Sequence, residues 1–319
     1  MFTFDSPLGR ACWAILLLAL VTASCGNDTD GTYVDAPDLA DTDRTTSTAD
    51  HTDDDHAHSN AAIDGHTPDF LGDYTLIDDE FGTEVTVTVD GETRTIVANS
   101  LPNHETGEFP NSGNPNTISE QALTLELTTD PVHTGIATDV RQPGIALNGV
   151  TFEPETAETA TCASGETYRI EALQDLLDLG LDFNNAHVQP GGKYHYHGLS
   201  DLLTAAFDNG DDLVLVGFAA DGHLMYVSLT DAYATSYELS NEARSGTACL
   251  HSGRAGITLD LDGTVPDGTY GSDWIYSEGT GDLDECNGTV IDGQYVYVIT
   301  DAFPYIPRCM MGEVTARQQ

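Results

Sequence analysis

Between Asn185 and Gly198 the chain runs Asn-Ala-His-Val-Gln-Pro-Gly-Gly-Lys-Tyr-His-Tyr-His-Gly, and the alternation at its end admits few structures. Side chains alternate faces along a strand. Tyr194 and Tyr196 therefore share one face, and His195 and His197 share the other, their bases about 6–7 Å apart. A plain core strand would carry Val or Ile at the histidine positions. Two adjacent imidazoles make half of a transition-metal site. The stretch also holds His187 and Lys193, the only lysine in the chain. Register decides whether His187 joins the pair. If Val188 pairs with Tyr194 across a five-residue loop, His187 faces His195 directly. If Val188 pairs with Lys193, His187 falls opposite Tyr194, on the wrong face.

The surrounding sequence reads as mainly β. Val85, Val87 and Val89 alternate with polar residues, Asp90-Gly91 turns, and Thr93–Ala98 resumes an apolar run: a hairpin. Strands are expected at Ala122–Thr128 and as one run over Gly144–Phe152. Leu213–Ala219, Asp221-Gly222 and His223–Leu229 make a second hairpin. Ile170, Leu173, Leu176 and Leu177 fall at helical spacing, so Thr167–Leu179 is expected to be a helix stopped by Gly180. A short helix is expected at Ser200–Phe207, capped by Ser200. The fold class that follows is antiparallel sheets packed as a sandwich with two or three short helices. The long run from Leu101 to Asn116, dense in Asn, Pro and Gly, is a loop of functional length.

The motif has an echo. Asn287-Gly288 is followed by Gly293-Gln294-Tyr295-Val296-Tyr297-Val298, as Asn185-Ala186 is by Gly192-Lys193-Tyr194-His195-Tyr196-His197. Both tyrosines recur and both histidines become valine. An internal repeat of this kind means that the scaffold needs the tyrosines and that the histidines serve chemistry.

Composition bounds the partners. The chain of 319 residues has 53 Asp+Glu against 10 Lys+Arg, a net charge of −43. Such a charge excludes nucleic acid and anionic membrane surfaces as binding partners and suits a salt-rich setting, where screening shortens self-repulsion. Residues 1–24 read as a signal peptide: Arg10 precedes the apolar run Ala11–Leu20, too short to span a bilayer. Thr22-Ala23-Ser24-Cys25 has the form of a lipidation box, with Thr22 where Leu is usual. Residues 25–68, rich in Asp, Thr, Ala and Ser, make a flexible acidic tether that includes His51, His56, His58 and His66. The folded domain spans 69–319. Its four cysteines, Cys162, Cys249, Cys286 and Cys309, suit disulfides in an exported chain and lack the CxxC pairs of a zinc site.

These motifs together resemble the YHYH domain family. Beyond Tyr194-His195-Tyr196-His197, the likeness covers Leu101-Pro102-Asn103-His104, Phe109-Pro110-Asn111, Asn148-Gly149-Val150 and Leu179-Gly180-Leu181-Asp182. It continues through Gly217–Gly222, Leu283–Gly288 and Phe303–Cys309, from about residue 70 to 312. Many members also carry histidines in the second motif, from which Val296 and Val298 depart. The resemblance implies an exported protein, often a lipoprotein, and brings no reaction with it. The expected site is a divalent transition metal (zinc, copper or iron) held by His187, His195 and His197, with His104, His223 and His251 as candidates for a fourth ligand. His133 reads as a surface residue. Asp260–Asp267 lacks the spacing of a calcium loop. Three functions remain open: a metal-binding surface lipoprotein, a metal-dependent extracellular hydrolase or oxidoreductase, and a structural or adhesive module. No nucleophile motif supports the enzyme. Four cysteines allow three connectivities. Cys162–Cys249 with Cys286–Cys309 is favoured, because the closing motif from Cys286 to Cys309 spans one apparent hairpin.

Lipidation gives the first test. Mature protein from its own host is expected to partition into detergent, and Cys25→Ser to release it to the soluble fraction or block processing. An unmodified Cys25 in the intact mass would refute the anchor.

Overall fold

The computed structural model describes residues 69–230, 232–252 and 257–314, with the backbone of 317–318. The leader, Cys25 and the tether lie outside the described residues. The strands in chain order are β1 (Tyr74–Asp78), β2 (Thr83–Asp90), β3 (Thr93–Ala98), β4 (Leu123–Thr128), β5 (His133–Asp139), β6 (Gly144–Ala146), β7 (Thr151–Phe152), β8 (Glu155–Thr161) and β9 (Thr167–Glu171). There follow β10 (Ala186–Val188), β11 (Tyr194–Tyr196), helix α1 (Asp201–Phe207), β12 (Leu213–Ala219), β13 (Leu224–Ser228), β14 (Tyr237–Leu239), β15 (Cys249–His251), β16 (Thr258–Leu259) and β17 (Trp274–Tyr276). The chain closes with β18 (Gly288–Ile291), β19 (Gln294–Ile299), β20 (Cys309–Gly312) and β21 (Arg317–Gln318).

Two sheets carry the main core. The first, ordered β1-β2-β3-β4-β21, turns Val85, Val87, Ile96, Leu125 and Leu127 inward by simple alternation. The second, ordered β10-β11-β7-β6-β12-β13-β19-β18, contributes Ile145, Phe152, Val216, Phe218, Met225 and Tyr297 to the same cluster. The sheets meet directly: the Tyr74 hydroxyl donates to the Leu147 carbonyl, and the Ser100 hydroxyl to that of Gly149. The mainly β class therefore holds. Most pairs are antiparallel, but β11·β7 and β13·β19 are parallel. A smaller core gathers Ala160, Ile170, Leu177 and Tyr270 around the Cys162–Cys249 disulfide. Cys286–Cys309 is the second disulfide, so both expected pairings form. Its closing segment runs past the β18–β19 hairpin into β20, which pairs with β5.

Three local expectations need correction. Thr167–Leu179 is not a helix. Its first part is β9, paired with β8, and the rest is a series of turns. There the Gln174 side chain accepts from the amides of Leu176 and Leu177 and donates to the Leu177 carbonyl, replacing helical bonds. The apolar spacing serves the smaller core instead. Among the described residues α1, capped by the Ser200 hydroxyl at the Leu203 amide, is the one α-helix, with a single 3-10 turn at Gly271–Asp273. Gly144–Phe152 is two strands, β6 and β7, folded back at Asn148-Gly149, where Gly149 takes φ +82°. That dipeptide is a hairpin signal in its own right.

The hidden repeat is built into the eight-stranded sheet. In the first half, hairpin β6–β7 is followed by hairpin β10–β11, with β11 parallel to β7. In the second, hairpin β12–β13 is followed by β18–β19, with β19 parallel to β13. Registers agree throughout: Tyr196 sits beside Phe152 as Tyr297 sits beside Met225. The halves join where Ile145 pairs with Phe218, and these two are equivalent residues, so the axis of the repeat passes between them. Gly144 and Gly217 flank that axis. A Cβ on Gly217 would lie 2.5 Å from the Ile145 carbonyl oxygen and 3.0 Å from the Phe152 ring, and one on Gly144 would lie 2.5 Å from the Phe218 oxygen. Gly217→Ala must push backbone apart and is expected to cost about 1–3 kcal/mol. The urea midpoint reads this, and an unchanged midpoint would show that the central pairing yields freely.

Candidate metal centre

Val188 pairs with Tyr194, Ala186 with Tyr196, and His187 with His195. This is the register that puts His187 on the histidine face. The turn at Pro190–Gly192 is fastened by the Gly192 amide donating to the Gln189 carbonyl. His197 lies one residue beyond β11, and its amide donates to the carbonyl of Asn185, which sits at φ +53°. The three rings then form a near-equilateral triangle, with centroids 4.8, 4.7 and 4.7 Å apart. One nitrogen from each lies within 4.8 Å of the others, and among the described residues these are the His/Cys/Asp/Glu side chains that gather closely enough to hold an ion.

The opposite face explains why the strand stays flat against the core. Tyr194 donates to an Asp182 carboxylate oxygen at 2.8 Å. The Tyr196 hydroxyl lies 2.6 Å from His104 Nε2 and accepts from Asn148 Nδ2 at 3.0 Å. Both tyrosines are fully buried, so unmet hydroxyls would cost about 1–3 kcal/mol each. The other half repeats the device: Tyr295 donates to Asp284, and Tyr297 to Asp221. There, by register, Thr289, Val296 and Val298 stand where His187, His195 and His197 stand in the first half. The repeat therefore keeps its tyrosine anchors and has a single histidine triad. Asn148 and Asp221, equivalent residues that bind equivalent tyrosines, escaped the sequence reading; the shared pattern Gly144-Ile-Ala-Leu-Asn-Gly and Gly217-Phe-Ala-Ala-Asp-Gly is the signal that reveals them.

The three further histidines do not reach the triad. His104 is spent on Tyr196 and on the Glu105 carbonyl. His251 lies 2.7 Å from the Tyr270 hydroxyl in the smaller core. His223 packs edge-on against Tyr295, 5.1 Å between centroids, in the second half of the sheet. His133 is exposed, as expected. Asp260 caps the Ala248 amide and Asp267 binds Arg244, so those acids are structural.

The donor set fits a transition metal. His187 Nδ1 lies 2.9 Å from the Leu179 carbonyl, and His195 Nδ1 3.3 Å from the Lys193 carbonyl. A carbonyl can only accept, so each Nδ1 carries the proton and each Nε2 keeps its lone pair, as in metal-binding histidines whose other ring nitrogen donates to a carbonyl. Nε2 of His187 and of His197 are 3.1 Å apart, and His197 Nδ1 is buried without a partner. Without an ion His197 Nε2–H donates to His187 Nε2; an ion bound through both Nε2 atoms would replace that hydrogen bond and move the His197 proton to Nδ1. Beside the triad lies a cavity of about 680 Å³. Glu153 lines it, bridging Lys193 at 2.5 Å and Gln189, with Arg141 and Glu158 on the same wall.

Burial keeps all three imidazoles neutral. It lowers His195 to about 3, aided by the neighbouring His187. It also depresses His187 and, more strongly, His197. In the unfolded chain the same groups titrate near 6.5. Below that pH the unfolded state binds more protons, so stability is full above about 6.5 and falls as pH drops toward the folded values. Metal-free protein is expected to lose roughly 1.4 kcal/mol per pH unit from His195 in that window, with further losses of the same sign from His187 and His197. Urea midpoints between about pH 7 and 5 test this against the His195→Val/His197→Val variant, whose slope should be shallower. Equal slopes would refute it.

Residues 124–312, more than half the chain, match the family model described as YHYH protein. Comparison with curated proteins and with solved structures gave no match.

Proposed function

The chain belongs to the YHYH protein family, and on that premise we propose that it is an exported, lipid-anchored protein that binds one divalent transition ion through His187, His195 and His197. The observation that carries the reading is the convergence of three imidazole nitrogens within 4.8 Å, those of buried His195 and His197 and half-buried His187, two of their rings fixed by backbone carbonyls. Neutral nitrogen donors suit zinc, copper or iron and discriminate against calcium and magnesium. Three protein ligands leave a coordination position, as in catalytic rather than structural zinc sites. The adjoining cavity gives that position access to a small ligand. This favours, as a second reading, a metal-dependent hydrolase or oxidoreductase. Two disulfides agree with the extracytoplasmic side of the membrane.

Metal analysis of the chain purified without an affinity tag is expected to give one tightly held ion per molecule. His195→Val/His197→Val should remove that ion and leave the fold intact, because the second half of the sheet already carries valine at both positions. Since burial disfavours protonation, occupancy at about pH 6 should equal that at about pH 7.5, whereas solvent-exposed histidines would release it. Full stoichiometry in the double variant, or none in the wild type, would overturn the site and leave the structural module.

A further inference from the structure

Among the described residues one buried cation, Arg94, has no carboxylate partner. Arg244 holds Asp273 through two bonds, Nε to Oδ1 at 2.8 Å and Nη2 to Oδ2 at 2.6 Å. Arg308 holds Glu171 end-on, Nη1 to Oε1 at 2.9 Å and Nη2 to Oε2 at 2.5 Å. Arg94 is different. Its side chain points from β3 into the sandwich and is 4% exposed. Its guanidinium lies over the Phe218 ring at 3.9 Å, and Nη2 donates to the Leu71 carbonyl at 3.0 Å. Nε has no partner, and no carboxylate among the described residues pairs with the group. Uncompensated buried charge is destabilising, and acids are abundant in this chain. The position is therefore held open for something other than the protein's own side chains.

Arg94 lines a cavity of about 670 Å³ at the end of the sandwich, far along the sheet order from the histidine triad. His223 lines it too, 6% exposed, and its Nε2 is buried without a partner. His133 stands at the rim with its ring 4.4 Å from that of Tyr295. Leu71, Val89 and the Tyr295 ring supply apolar wall. Asp130 also lines the cavity and is the one acid in its lining. A guanidinium without a carboxylate and an imidazole nitrogen without a partner thus line one partly apolar space. A guanidinium matches a planar carboxylate by two parallel bonds. His223, as the Nε2–H tautomer, adds a neutral donor.

We propose that the Arg94–His223 cavity is a binding site for a small organic monocarboxylate with an apolar or aromatic body. Arg94 receives the carboxylate, His223 donates to it, and the Tyr295 wall covers the body.

The test titrates metal-depleted full-length chain with benzoate and with its neutral isostere benzamide by calorimetry, in low-chloride buffer. Benzoate is expected to bind at least about tenfold more tightly, the scale of one charge-assisted hydrogen bond. Arg94→Gln and His223→Leu should each reduce that preference, the first abolishing it. His195→Val/His197→Val should leave it unchanged, which separates this cavity from the metal centre. If Arg94→Gln does not fold, His223→Leu and the benzoate–benzamide comparison still decide. No binding of benzoate, equal binding of the two compounds, or an unchanged preference in His223→Leu with Arg94→Gln also unchanged or unfolded would overturn the proposal. Loss of the preference in the histidine double variant would place benzoate at the triad and overturn it equally.

Discussion

The pairing of β6 with β12 at Ile145 and Phe218 sets the rest of the sheet. Because equivalent residues pair there antiparallel, each half must extend outward by the same steps: a hairpin, then a parallel neighbour, then that neighbour's own hairpin. The close approach demands Gly144 and Gly217, since a side chain at either would strike a backbone carbonyl across the axis. Everything chemical in the protein lies outboard of this axis. The histidine triad is at one end of the eight strands, and the Arg94–His223 cavity adjoins the other half.

A strand two-sided by alternation lets one segment do two jobs. The tyrosines of β11 face the core, and their hydroxyls are met by Asp182, His104 and Asn148. The histidines face the opposite way, where burial keeps them neutral and ready to donate lone pairs. Separating structural hydrogen bonds from ligand donors across the sheet means that either set can change without the other. The second half of the sheet illustrates this: Tyr295 and Tyr297 keep their acids, Asp284 and Asp221, while valines take the other face.

Charge is distributed with the same economy. Buried Arg244 and half-buried Arg308 are neutralised bidentately, and the sole lysine is held by Glu153 beside the triad. Against a background of 53 acids, a cation left without a carboxylate stands out. The Leu71 carbonyl and the Phe218 ring that it meets offset charge only weakly compared with an ion pair.

The mainly β class, the two-faced strand at 194–197, the Ser200 cap and the β2–β3 and β12–β13 hairpins were legible in the sequence, because period-two alternation and Asp-Gly turns are local signals. The favoured disulfide pairing forms, although the single hairpin expected between Cys286 and Cys309 does not span them. The turns after β9 were not legible, because leucines at helical spacing served a second core and Gln174 supplied the missing backbone bonds. The hairpin at Asn148-Gly149 was legible but hidden inside an apolar run. Residue types at 187, 195 and 197 named the nitrogens of the candidate metal centre. Only the tertiary structure decided that they meet, since pairing Val188 with Tyr194 rather than Lys193 turns His187 to the histidine face. It also decided that His104, His223 and His251 do not join them. A sequence specifies which side chains can bond; register and packing, which depend on partners distant along the chain, determine which of them share a space.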